Sequence, residues 1–279
     1  MLAETCQGIL EKLPQDLDYD RAQRKHPVMY EESMNTVLHQ EILRFNRLLN
    51  VIRSSLKNIQ LAIKGEVVMS SELEEVGNSM FDNKIPALWS KRSYPSLKPL
   101  ASYIVDFVER LSFVEKWIEE GKPPNFWISG FFFTQSFLTG LKQNYARKYT
   151  IAIDQIKWDY QVLIDSKFDK TQEATDGAYV YGLFIEGCRW DEEQGALDES
   201  QPKVLFTKMP YIWMKPCTEV NDSHSYECPI YKTLERFGVL STTGHSTNFV
   251  SMIWLPMLRC HTQAHWIKRG VALITQLSD

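Results

Sequence analysis

Few side chains in this chain have the types and spacing for chemistry. His245 stands beside Ser246 in the run Ser241-Thr-Thr-Gly-His-Ser-Thr-Asn248, the pairing of a nucleophile with its base. Adjacent residues on an extended chain point apart, so the pair reads as a polar turn whose hydroxyls and Asn248 satisfy local backbone groups. No Gly-x-Ser-x-Gly elbow is present. His261 and His265 lie four apart, and Cys260, Cys217, His224 and Cys228 are further ligand types, yet there is no Cys-x-x-Cys and no His-Glu-x-x-His. His261 falls in a segment read as a loop before the last strand, where a helical i,i+4 ligand face is not expected. No metal ligand is therefore assigned.

Phosphate cradles are also missing from the sequence. The Gly121-Lys122 pair is followed by Pro123 and has Lys116 where a P-loop needs its first glycine, and no two glycines are spaced Gly-x-Gly. The reading is a chain with no catalytic residue, no bound cofactor and no enzymatic activity of its own. The acidic pairs Asp191-Glu192-Glu193 and Asp198-Glu199 are compatible with a cation site or docking patch, but read first as a solvated connecting loop. Arg189-Trp190 invites a cation–π contact or a partner anchor, against rim packing of its own module.

These residues must be positioned by ordinary globular elements. The 279 residues are 44% hydrophobic and 24% charged, with 8 Trp, 14 Phe and 12 Tyr, enough for a large core. Residues 1–150 carry 19 Lys/Arg against 18 Asp/Glu, and residues 151–279 carry 12 against 17. Neither half has the basic field of a nucleic-acid binder. Five widely spaced cysteines read as free thiols in a reducing compartment. No signal peptide is visible, and the uncharged stretch from Pro123 to Leu141 is broken by prolines, Gly130 and polar residues. It reads as a buried aromatic helix preceded by a loop, not a membrane span.

Residues 1–150 read as helical. Leu38, Ile42, Phe45, Leu49, Ile52, Leu56, Ile59 and Ile63 make a 4-3-4-3 seam ended by Gly65. The seam reads as packing within the chain's own domain, since no heptads follow Gly65. Ser71 and Glu74 suggest a capping box for a second helix, Leu100 to Ile118 a third stopped by Gly121, and Thr134 to Lys148 a fourth. From Ile151 the period becomes two. Strands are expected near residues 156–164, 179–186, 209–215, 226–232, 248–255 and 270–277, with turns such as 191–200 between them. The fold class expected is α+β: a helical subdomain over 1–150, then a six-stranded antiparallel β-barrel over 151–279.

Many segments, in order, resemble the C-terminal domain of dynein heavy chains. Glu32-Ser-Met-Asn-Thr-Val-Leu38, Glu41, Arg44-Phe-Asn-Arg-Leu48, Val68-Met-Ser-Ser-Glu-Leu-Glu74, Pro86-Ala-Leu-Trp89, Ser93-Tyr-Pro-Ser-Leu-Lys-Pro99 and Gly121-Lys-Pro-Pro124 match its first half. Phe126-Trp-Ile-Ser-Gly-Phe-Phe-Phe133, Phe137-Leu-Thr139 and Gln143-Asn-Tyr-Ala-Arg147 continue the match. Gly182-Leu-Phe-Ile-Glu-Gly187-Cys-Arg-Trp-Asp191, Pro202-Lys-Val-Leu-Phe206, Met209-Pro210, Cys228-Pro-Ile-Tyr-Lys-Thr233 and the 241–248 turn complete it, from about residue 10 to the end. Arg189-Trp-Asp191 and the 241–248 turn resemble axonemal rather than cytoplasmic forms. Phe237 and Trp158 are the departures, neither at a functional position.

The resemblance implies a helical part plus a six-stranded barrel lying across one face of an AAA+ ring and modulating motor output. It also implies a place in the cytoplasm and cytoskeleton, in the axoneme of a cilium or flagellum. The expected partners are the AAA+ ring in cis, and the dynein complex and microtubules through the parent protein. No nucleic-acid or membrane partner is expected, and the isolated domain is expected to be a monomer. Arg189, Trp190 and Trp254 are the candidate docking surface. The alternative is an adaptor that recruits other axonemal proteins through the barrel.

Overall fold

The longest element follows from the apolar seam. In the computed structural model, which describes residues 2–164, 166–220, 224–239 and 246–278, α3 spans Ser33–Ile63. Seven seam residues, Leu38 through Ile59, are fully buried within the protein, while Ile63 is exposed as the helix leaves the core. Gly65, at φ +79°, ends it by directing its N–H to the Ala62 carbonyl (3.0 Å). Before it lie α1 (Leu2–Lys12) and α2 (Tyr19–Lys25), which the sequence reading did not resolve. Helix α4 (Ser71–Phe81) starts one residue earlier than the expected capping box. Ser70, not Ser71, is the N-cap, and its hydroxyl accepts from the Leu73 N–H (3.3 Å). A short α5 (Ala87–Ser90), α6 (Leu100–Glu120) and α7 (Thr134–Tyr149) complete the helical layer.

The uncharged aromatic stretch departs from expectation. Asn125–Trp127 is a strand, β1, followed by a 3-10 turn (Ile128–Gly130) and then α7. Phe131, Phe132 and Phe133 are all buried, and Phe131 stacks on Phe137 at 4.4 Å. Among the described residues no helix is long and apolar enough to cross a membrane.

The remaining strands are β2 (Lys157–Val162), β3 (Ala178–Tyr181), β4 (Phe184–Glu186), β5 (Arg189–Asp191), β6 (Ala196–Asp198), β7 (Phe206–Lys208), β8 (Ile212–Cys217), β9 (Ser225–Tyr231), β10 (Phe249–Pro256) and β11 (Ala272–Ile274). They do not form the expected six-stranded antiparallel barrel. Among the described residues one sheet has the order β1-β3-β8-β2 and a second β10-β9-β11-β4-β7, while β5 and β6 form a separate hairpin. Two pairs, β1 with β3 and β9 with β11, are parallel.

One glycine explains much of this arrangement. The strand expected over 179–186 breaks at Gly182, whose φ is +93°. A β-carbon there would come within 2.5 Å of Trp127 Cδ1, so only glycine lets the backbone turn under that ring. The turn passes β3 in the first sheet into β4 in the second. On the opposite side β2 and β10 approach through side chains, without ladder bonds that would close a barrel. A helix, α8 (Gln263–Arg269), also stands between β10 and β11, where the sequence reading had a loop. It buries Trp266 alone, too little for an apolar period to register.

Candidate functional site

Two seams hold candidates for function. The first joins the helices to the sheets and is closed. Glu41 of α3 is buried. Its carboxylate accepts from the Phe132 N–H (2.5 Å) and the Phe133 N–H (3.0 Å), with Arg44 at 3.3 Å. Lys232, just past β9, donates to the Phe132 carbonyl (2.7 Å) and to Ser246 Oγ (2.8 Å). Ser246 Oγ also contacts the Phe132 carbonyl (2.8 Å), so this hydroxyl serves structure. Its sequence neighbours in the 241–245 run lie outside the described residues.

Arg110 of α6 binds Asp106 through Nε (2.7 Å) and lies 3.9 Å over the Tyr94 ring. Tyr94 Oη (2.8 Å) and Gln276 Nε2 (3.2 Å) also donate to Asp106. The Phe131–133 backbone is thus gripped from α3, α6 and the second sheet at once. Burial pushes Glu41 above the usual carboxylate range, against Arg44, the two backbone donors and Lys232. Burial, then the Arg110 charge, pulls Lys232 down to about 7.

The sequence reading gave no role to Glu41, Asp106, Arg110 or Lys232, although Glu41 and Lys232 belong to the segments that carry the family resemblance. A signal existed for the helical ones. Glu41 sits three residues after the seam residue Leu38, and Arg110 three after Phe107, so both lie on buried faces.

The second seam is open. A groove of about 800 Å³ runs between β2 and β10, lined by Lys142, Trp158, Tyr160, Met252, Trp254 and Pro256 among others. Each of these strands has one ladder neighbour among the described residues, β8 for β2 and β9 for β10, so both are sheet edges. Trp158, Tyr160 and Trp254 form a continuous aromatic run, with ring centroids 6.5 and 6.2 Å apart. Tyr160 Oη crosses the seam to the Met252 carbonyl (3.0 Å). Lys142 closes one end, donating to the Ile156 carbonyl (2.8 Å) 5.5 Å above Trp158, and burial lowers its pKa.

Edge strands beside half-exposed aromatic rings can take an extended segment by strand addition. The Asp159 carboxylate, on the Tyr160 N–H (2.9 Å), and exposed Lys157 guard the β2 edge against indiscriminate pairing.

The three residues singled out from sequence separate here. Trp254 is 41% exposed and lines the groove. Arg189 and Trp190 lie on the β5–β6 hairpin and are not among the groove's lining residues. Trp190 packs against the core, and Arg189 pairs with Asp198 and with Asp191 (3.4 Å). Glu192 and Glu193 lie exposed in the turn that connects β5 and β6, as the solvated-loop reading expects, while Asp191 and Asp198 end the two strands. Asp191 caps that turn, accepting from the Glu193 (2.9 Å) and Gln194 (3.1 Å) N–H groups.

Comparison with known proteins gives one answer. The family described as the C-terminal domain of the dynein heavy chain matches residues 1–275. The protein is 54% identical over its whole length to human "Dynein axonemal heavy chain 12", covering 9% of that protein. It is 53% identical to mouse "Dynein axonemal heavy chain 3" over 100% of this sequence and 7% of that protein. With human "Dynein axonemal heavy chain 1" it shares 51%, over 99% of this sequence and 6% of the other. It therefore spans less than a tenth of the length of these curated relatives.

Proposed function

The protein belongs to the family of C-terminal domains of dynein heavy chains, and from that premise we propose that it is the non-catalytic regulatory end of an axonemal dynein heavy chain. It packs in cis on the AAA+ ring of a microtubule-based motor in the cytoskeleton of a cilium or flagellum. There it changes ATP turnover, motility or force. Residues 1–150 act as the helical subdomain and 151–279 as the β subdomain. Trp254 with the groove, and Arg189 and Trp190 on the hairpin, are the surfaces offered for docking.

The observation that carries this reading is the pairing of a closed seam with an open one. Glu41 and Lys232, both bonded to the Phe132 backbone, and Gln276, bonded to Asp106 of α6, tie helices and sheets into one piece. A rigid piece contacting two ring modules favours the ring conformations that match its shape, which is regulation without chemistry. The same groove supports the adaptor reading, because an edge pair also accepts a strand in trans. An adaptor binds its partner without the ring, and a cis-regulator does not.

The test is the full motor carrying Trp158→Ala and Trp254→Ala together, with ATP turnover and microtubule gliding followed side by side. Changed turnover or gliding with the ring assembled supports the regulatory reading. Unchanged values for both overturn the groove as its means. Point variants are preferred to deleting 151–279, because deletion strips Lys232 and Gln276 from Phe132 and Asp106 and leaves a polar core open.

A further inference from the structure

The helix missing from the sequence reading brings together residues that the same reading had set aside. Helix α8 opens at Thr262, with His261 just before it and His265 in its first turn. Their rings lie nearly parallel, interplanar angle 27°, with centroids 4.4 Å apart. Glu199, directly after β6, reaches in from the hairpin, and its Oε1 is 2.8 Å from His265 Nε2. One ligand atom from each of Glu199, His261 and His265 lies within 4.8 Å of the others, and all three side chains are partly buried.

We propose that Glu199, His261 and His265 bind a Zn²⁺ ion that clasps the β5–β6 hairpin to α8. Two imidazoles and one carboxylate suit zinc, with a fourth position left to water, whereas Mg²⁺ and Ca²⁺ select all-oxygen sets. Three contacts steady the ligands. The Arg269 guanidinium holds the other carboxylate oxygen of Glu199 (Nη2 to Oε2, 2.7 Å). His224 Nε2 bonds the His261 carbonyl (3.0 Å), and fully buried Trp266 backs both rings at 4.9 and 4.7 Å.

Ligand atoms around a tetrahedral zinc stand about 3.3 Å apart. The widest separation, at most 4.8 Å, closes by up to about 1.5 Å and the 2.8 Å His265–Glu199 contact opens slightly, within the reach of side-chain torsions at three partly exposed residues. The ion would replace the direct contact between His265 Nε2 and Glu199 Oε1 and displace Arg269 Nε from His265 Nε2 (3.2 Å).

The test is calorimetric titration of the full 279-residue protein with Zn²⁺ at pH 7.5, repeated with Co²⁺ to read the tetrahedral absorption bands. One saturable site is expected, with a rise in melting temperature at excess metal. His265→Gln and Glu199→Gln should each weaken binding by at least about 10-fold, with far-ultraviolet circular dichroism unchanged. Cys260→Ser controls for the exposed thiol beside His261 and should leave binding intact. No saturable binding to the unmodified protein overturns the proposal, and that arm needs no variant to fold. Loss of binding in Cys260→Ser, or its survival in the Glu199→Gln/His265→Gln double variant, overturns it equally.

Discussion

The two seams of this molecule are built from different materials. Where helices meet sheets, ionisable side chains are sealed inside and hydrogen-bonded, as at Glu41, Lys232, Asp106 and Arg110. Where sheet meets sheet, between β2 and β10, the strands present their edges and the space is lined by partly exposed aromatic rings. A buried charge tolerates no rearrangement, because losing its partner leaves it desolvated and unpaired. An open aromatic edge tolerates a newcomer. The contrast assigns rigidity to the first seam and capacity for contact to the second.

The sharpest way to break the contrast is to attack the closed seam. Arg110→Met leaves Asp106 buried, with Tyr94 and Gln276 as its remaining donors. Breaking a buried pair from one side costs roughly 3–5 kcal/mol, and urea denaturation should read a loss of that order. The double variant Arg110→Met/Asp106→Leu should regain part of it, since no lone charge remains. Additive single losses would mean that the pair is not coupled and that the seam is held by its aromatic packing alone.

Lys232 gives a smaller, pH-dependent version of the same test. Burial and Arg110 pull its ammonium to about 7 in the folded protein, against an ordinary value of 10.5, while Glu41 opposes the shift. Between those values the unfolded state holds a proton that the folded state does not. Stability from this group is therefore least below pH 7 and grows as pH rises through the window. The slope is a fraction of about 1.4 kcal/mol per pH unit. Buried Cys188 and Cys228, raised by desolvation, pull the other way once free thiols ionise, so the range to use is pH 7 to 8.5. Lys232→Met should remove the rising component when melting curves of the two proteins are compared across that range. An unchanged slope would place a charged lysine in the seam.

How much of this was legible in the sequence follows from element length. α3 and α6 run for 31 and 21 residues, and over such lengths an apolar face repeats often enough to be read, down to the glycines that stop it. β5, β6, β7 and β11 have three residues each, too few for alternation to separate from noise, and α8 shows one buried residue. Gly182 was visible as a residue but not as a kink, since its role depends on Trp127 arriving from another strand. The closed seam was hidden for the same reason. Glu41 and Lys232 are 191 positions apart, and only the fold makes them neighbours. Trp254 was found as a large exposed ring, but the groove it lines belongs to two strands from different sheets.

The smallest expected effect is the one that sharpens the contrast most. Trp254 is 41% exposed and stacks on Tyr160 at 6.2 Å, so Trp254→Ala removes one partly solvated ring from the groove wall. Its cost to stability should stay below about 1 kcal/mol. Tyr160→Phe deletes the hydroxyl that crosses to the Met252 carbonyl and should cost about 0.5–1.5 kcal/mol. Both figures fall well under the loss expected from Arg110→Met, and the same urea titrations read all three. If Trp254→Ala destabilised the protein as much as Arg110→Met, the open seam would be core under another name. The groove would then have no surface to spare for a partner. A small loss, with motor turnover still altered, would separate the part that holds the shape from the part that uses it.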